Sequence, residues 1–193
     1  RLQAQISSSL ALYHGMSLDV FDRILRSCPV AAMYTNHDYE PYAQARDDAV
    51  RKWLQSKLVD FHSYKDHVLF EKNEITKDEG SPYVIYTPYM HKWKVIQHHT
   101  ALINYPSETK LMNMIRQSHL PDLSLADIGF KRSTIAILPY RLDDELLQHY
   151  ERDRNFPAIA GTSRLDPHLR FGTVSIRKIF QVAQPIVKPS AMS

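Results

Sequence analysis

Leu10-Ala11-Leu12-Tyr13-His14-Gly15, the run from Ser17 to Arg26, and Val30-Ala31-Ala32-Met33-Tyr34 together form the stretch that decides the fold class. The first segment is apolar and ends at a glycine, as a short buried strand entering a turn does. Ser17 to Arg26 places Leu18, Phe21, Ile24 and Leu25 on one face of a helix. Val30 to Tyr34 reads as a second buried strand. Strand, helix, strand at this spacing predicts a βαβ unit, hence a parallel sheet with a right-handed crossover. A lone unit leaves both sheet edges unpaired and one face poorly covered, so it reads as the end of an α/β domain.

Working outward, Tyr39 to Leu58 is expected to be helical after Pro41, with Ala45, Ala49, Trp53 and Leu54 as its apolar stripe. Arg46-Asp47-Asp48 and Arg51-Lys52 are then its solvated face. Val68-Leu69-Phe70 opens a less regular region, and Asp78-Glu79-Gly80-Ser81-Pro82 is a turn or loop. Tyr83-Val84-Ile85-Tyr86 has strand-like residues, yet Thr87-Pro88 is equally a helix start with proline at its first position. Tyr83, Tyr86, Tyr89 and Trp93 offer either a base-stacking platform or core, and the helical spacing of the last three favours core. Adjacent His98 and His99 face apart on a helix and lack a carboxylate at ligand spacing, so they read as surface and no metal is expected. Asn104 to Pro139 reads as a linker of loops and short helices, and Asp143 to Asp153 as a helix that starts acidic and ends basic.

Further on stands Gly161-Thr162-Ser163-Arg164-Leu165-Asp166-Pro167-His168-Leu169-Arg170-Phe171-Gly172. Ser163 and Asp166 have the spacing of a reciprocal capping box, and Gly172 is a plausible stop before the next helix start at Ser175. The stretch reads either as an ordinary capped surface helix or as an anion seat, in which Arg164 and Arg170 add positive charge for a phosphate or pyrophosphate.

Composition sets the frame for these motifs. With 193 residues, 44% of them apolar and 23% charged, the chain can bury a core and is neither disordered nor a membrane span. The opening Arg1-Leu2-Gln3-Ala4-Gln5 lacks the apolar core of a signal peptide. One cysteine, Cys28, permits no disulfide framework and reads as a small buried apolar group. The expected location is cytoplasmic. Of the net +3, the bias falls late: from Lys131 onward there are ten Lys/Arg against six Asp/Glu, whereas residues 1–130 hold fourteen against fifteen. A surface meeting a polyanion would look like this.

Three motifs in order carry a family resemblance. Tyr34-Thr35-Asn36-His37-Asp38-Tyr39-Glu40-Pro41-Tyr42-Ala43-Gln44-Ala45-Arg46-Asp47 resembles the end of the antenna domain of DNA photolyases and cryptochromes. Tyr83 to Tyr89 with Trp93 is similar to that family's Tyr-x-Val-Phe-Thr-Pro-Phe…Trp signature. Tyr150-Glu151-Arg152-Asp153-Arg154-Asn155-Phe156-Pro157-Ala158, read with the glycine-bounded stretch after it, resembles the segment that begins the family's flavin-binding helical domain.

The resemblance implies an α/β antenna-type domain remnant (residues 1–60), a connector with first helices (61–140), and the start of an all-helical FAD-binding domain (141–193). It implies light-driven repair of cyclobutane pyrimidine dimers in UV-damaged DNA, a carbon-carbon lyase reaction with electron transfer from excited, reduced FAD. No general base or nucleophile is needed for this, and no catalytic residue is visible in the chain. By position, Tyr150 matches a flavin-contacting tyrosine, and Thr162, Ser163, Arg164, Leu165 and Asp166 match the run that holds the FAD phosphates. Arg154 matches a basic residue of the DNA face, or is simply an arginine complementing the helix dipole.

Two departures stand out. The family commonly has Ser at Asp166, where a carboxylate repels a pyrophosphate unless it caps the helix or pairs with Arg164. Where folate-binding members have an Asn-Glu pair, this chain has Tyr42-Ala43, so the second, antenna chromophore is unknown. After Phe180, Gln181 to Ser190 matches none of the family's following segments. The chain is therefore read as a fragment, or as a longer protein with segments left out, and by itself is expected to be inactive and to bind FAD weakly or not at all; a monomer is expected. The same resemblance leaves open a cryptochrome photoreceptor or a (6-4) photolyase; from another class, a non-catalytic nucleotide-binding module remains.

Overall fold

A computed structural model describes residues 10–103, 105–115 and 120–185. The described residues fall into two compact units, one within Arg1–Tyr64 and Tyr105–Ile135, the other within Lys65–Asn104 and Ala136–Ser193. Arg1 to Gln5 and the tail from residue 186 lie outside the described residues.

The first unit is α/β. Helix α1 (Ser17–Ser27) leads into strand β1 (Ala32–Asn36), helix α2 (Pro41–Ser56) and strand β2 (Asp60–Tyr64). β1 and β2 pair in parallel, with Ala32 opposite Asp60 and Asn36 opposite Tyr64. The parallel βαβ unit exists, but it is built one element later than the sequence predicts. Leu10 to His14 is not a strand: Leu12 donates its N–H to the Pro121 carbonyl at 2.7 Å, and no ladder forms around that bond. The second strand is Asp60-Phe61-His62-Ser63-Tyr64, in which Asp60, His62 and Ser63 leave no apolar run or clear apolar alternation to mark a strand locally.

Register explains the core. Met33 and Phe61 lie opposite one another and pack, with Phe21, Leu25, Val30 and Trp53, against buried Val50, Leu54 and Val59. Pro41 stands at the first position of α2, where its missing N–H costs nothing. At the other end of α2, the Val59 N–H bonds the Leu54 carbonyl at 3.0 Å and the Leu58 N–H bonds Gln55 at 3.1 Å, the paired bonds of a Schellman stop. Leu58 takes the left-handed conformation there, with φ 58°, and its side chain is 94% exposed. Cys28, expected to be buried, is exposed, because α1 has ended and the chain runs extended at that residue.

In the second unit the described elements are helical: α3 (Tyr86–His99), α4 (Asp144–Asp153), α5 (Asp166–Arg170) and α6 (Ile176–Ala183). The all-helical FAD domain itself is not in this chain; among the described residues from 141 onward the helices are α4, α5 and α6, and Leu146 and Ile179 are the buried apolar side chains described there. Trp93 on α3 meets Phe70 and Phe180 edge-on, at centroid distances of 5.5 and 5.8 Å. Arg177 on α6 donates to the Lys65 carbonyl at 2.7 Å and to Asp66 at 3.2 Å, tying the two chain segments of this unit together. The expectation of core packing holds in part: Tyr83 and Trp93 are half-buried, whereas Tyr86 is 72% exposed and Tyr89, although its ring meets Tyr83 edge-on at 6.2 Å, lies on the surface.

Candidate functional site

The candidate site is built on the end of α4 and the chain that follows. Asp143 caps α4, accepting the Leu146 N–H at 3.0 Å, while Arg141 grips the same carboxylate through Nε at 2.8 Å and Nη2 at 3.0 Å. The Arg141 guanidinium and then the Leu146 N–H hold the Asp143 carboxyl below its ordinary range. At the C-terminal end, Arg152 pairs with Asp153 at 2.6 Å and holds that carboxyl down as well.

Tyr150 stands on the last turn of α4, partly exposed, and the Arg154 guanidinium lies over its ring at 5.7 Å from the centroid. The two residues assigned to flavin and DNA are therefore neighbours, one covering part of the other. Beyond them the chain turns back so that Gly161 lies against Asp153. The next residues, Thr162, Ser163 and Arg164, lead into α5, with Arg164 in the left-handed region at φ 55°.

The capping box is not formed. Leu165, not Ser163, precedes α5 and is itself in a right-handed helical conformation, without a side-chain cap. Ser163 lies too far back to reach the third residue of the helix, and Asp166 is the first helical residue. Its carboxylate makes neither a cap nor a pair with Arg164 among the described residues. The stop at Gly172 is present: Gly172 has φ 62°, its N–H bonds Leu169, and the Thr173 N–H bonds His168. Ser175 caps α6, accepting the Arg177 N–H at 3.3 Å.

What this leaves exposed is a set of hydrogen-bond donors. The N–H groups of Thr162, Ser163, Arg164 and Leu165 donate to no protein acceptor among the described residues, and Arg164 has no ion pair there. Two hydroxyls, four N–H groups and one guanidinium against the single carboxylate of Asp166 make a donor set of the kind a pyrophosphate takes.

The sequence missed three supports of this turn. Arg141 donates its N–H to the Ser163 carbonyl at 2.9 Å; His168 reaches back to the Leu138 carbonyl at 3.1 Å; Gly161 gives up a side chain to approach Asp153. Asp143 before an apolar-periodic run was a readable cap signal. The Arg141–Ser163 and His168–Leu138 contacts join residues about twenty and thirty apart, which local pattern does not show.

A parallel α/β unit and a helical unit bearing a donor-rich turn are what the described residues build. The family profile described as DNA photolyase matches residues 1–107, and the chain belongs to that family. Deoxyribodipyrimidine photo-lyase from Synechococcus sp. is 29% identical over 195 residues, covering 93% of this chain and 40% of the relative. A bacterial class III photolyase structure from Agrobacterium tumefaciens has a TM-score of 0.72 at 22% identity, covering 93% of this chain and 41% of that one. An archaeal photolyase structure from Sulfolobus tokodaii, described with two FAD molecules, gives 0.56 at 20% identity, over 93% of this chain and 42% of that one. These structural likenesses show the fold. The chain thus spans about two fifths of the length of each of these three relatives.

Proposed function

We propose that this chain belongs to a light-driven lyase that repairs cyclobutane pyrimidine dimers in UV-damaged DNA, with FAD as its cofactor. The observation that carries the reading is the donor set of residues 162–165, standing in a chain of the DNA photolyase family. In this reading the hydroxyls of Thr162 and Ser163, the backbone N–H groups as far as Leu165, and the Arg164 guanidinium hold the FAD phosphates. Asp166, exposed and unpaired with Arg164, contributes no attraction to them and is the weakest member of the set. Tyr150 lies along the flavin, and Arg154 meets a DNA phosphate, adding affinity without sequence preference.

When bound, reduced FAD excited by blue light supplies the electron that opens the dimer. The protein orients the cofactor, keeps water from it and accepts the extruded dimer. The antenna-type part ends near residue 60 and the flavin part begins near residue 141. That division draws support from the parallel sheet in the first unit and from the helices of the second. A reducing, cytoplasmic setting is consistent with the single cysteine.

The test is photorepair by the natural gene product, with its visible spectrum and intact mass taken on the same sample. Flavin bands and blue-light loss of dimers from an oligonucleotide, with none in the dark, are expected. Bound flavin without dimer loss would overturn the repair reading in favour of a signalling photoreceptor or another lesion. Absence of flavin from a sample of the natural mass would overturn the cofactor assignment.

A further inference from the structure

The His168 side chain, on the five-residue helix α5, meets three other residues. Its Nε2 lies 3.1 Å from the Leu138 carbonyl, and a carbonyl only accepts, so Nε2 is the donor. Nδ1 is engaged at the same time by the Thr173 hydroxyl at 2.9 Å. The Tyr140 ring meets the imidazole edge-on at 5.1 Å. One side chain therefore joins the extended segment before α4 to the stop after α5.

That segment bears directly on the donor-rich turn. Three residues beyond Leu138, the Arg141 N–H binds the Ser163 carbonyl at 2.9 Å. In a planar trans peptide the carbonyl of Ser163 and the N–H of Arg164 point in opposite directions. Anchoring the carbonyl on Arg141 consequently turns the Arg164 N–H away from the 138–141 segment and keeps a repulsive carbonyl oxygen out of any anion's approach. It also sets the peptide next to Arg164, whose left-handed conformation a non-glycine residue adopts only when its surroundings enforce it.

We propose that His168 is a positioning residue for phosphate binding: by fixing the Leu138–Arg141 segment it orients the Ser163–Arg164 peptide, without touching the ligand itself. The inference rests on the assignment of the 162–165 turn to the FAD phosphates.

The experiment compares wild type with His168→Phe, which keeps a flat ring beside Tyr140 but loses both polar contacts, and His168→Gln, whose amide can donate to Leu138. In the natural gene product, affinity for FAD is expected to fall about tenfold in His168→Phe, the size of a lost hydrogen bond, and to recover in part in His168→Gln. Affinity for riboflavin, which has no phosphate, is expected to be unchanged. Hydrogen exchange at the Arg141 amide, measured without flavin, is expected to accelerate about tenfold in His168→Phe. Unchanged exchange and unchanged FAD affinity would overturn the proposal, as would equal losses for FAD and riboflavin. A wild-type protein that binds no FAD would overturn the phosphate assignment instead, and the Arg141 exchange would still decide whether His168 positions the turn.

Discussion

Gly161 is packed against Asp153 so closely that a Cβ at position 161 would lie 2.7 Å from the Asp153 Cβ and 2.9 Å from its carbonyl oxygen. No real Cβ tolerates that, and two of the three atoms it would meet are backbone, which cannot swing aside as a side-chain tip can. The end of α4 and the start of the candidate turn are thus set by the absence of one carbon. Gly161→Ala is expected to lower stability by about 1–3 kcal/mol, read from urea unfolding. An unchanged midpoint would mean that the two segments separate easily.

Leu58 presents the opposite case. It holds the left-handed position after α2, where glycine is favoured, and its side chain is almost wholly in solvent. Leu58→Gly therefore removes strain without removing a buried group, and is expected to stabilise the protein by about 1 kcal/mol. A higher denaturant midpoint at unchanged slope would show it; a lower one would mean that the side chain has a partner in the natural protein.

Arg177 joins α6 to Lys65 and Asp66 through a side chain that is only 18% exposed. Truncation to Ala leaves the Lys65 carbonyl without this donor, and a loss of about 1–3 kcal/mol is expected. Arg177→Lys keeps the charge but not the two-point grip, so it is expected to recover part of the loss. Full recovery by Lys would show that charge alone matters.

Acid is expected to weaken the α4 region in a definite direction. The Asp143 carboxyl lies below its ordinary value of 3.8 because of Arg141 and the Leu146 N–H. A depressed carboxylate contributes stability that is complete above its unfolded value and is lost as pH falls through the folded one. Unfolding midpoints should therefore fall from about pH 5 toward about pH 3, and by less in Asp143→Asn, which can still cap the helix but no longer carries the titrating charge. Identical slopes in both proteins would place the acid sensitivity elsewhere.

Arg154, over the Tyr150 ring, tests the DNA-facing assignment. Arg154→Ala is expected to reduce the salt dependence of DNA binding by about one unit of slope. It should weaken damaged and undamaged duplex about equally, since a phosphate contact carries no sequence information. A loss confined to damaged DNA would assign Arg154 to the lesion instead.

The sequence by itself determined the class of the first unit, the helix after Pro41, the acidic start of α4, the stop at Gly172 and the cap at Ser175. Each is encoded within a few residues: by the φ of proline, by a carboxylate or hydroxyl within reach of the next N–H groups, or by the left-handed freedom of glycine. The order of motifs in the chain likewise sufficed for the family. Which segment became the second strand was beyond local reading, because Asp60-Phe61-His62-Ser63-Tyr64 is stabilised by pairing with β1 across the whole of α2. Tertiary structure alone decided the candidate turn as well. Ser163 has the spacing of a cap relative to Asp166, but its carbonyl is held by Arg141, twenty-two residues earlier, and α5 starts later than the capping box requires. The support that His168 gives to the segment at Leu138 is a contact across thirty residues, and only packing can bring such a pair together.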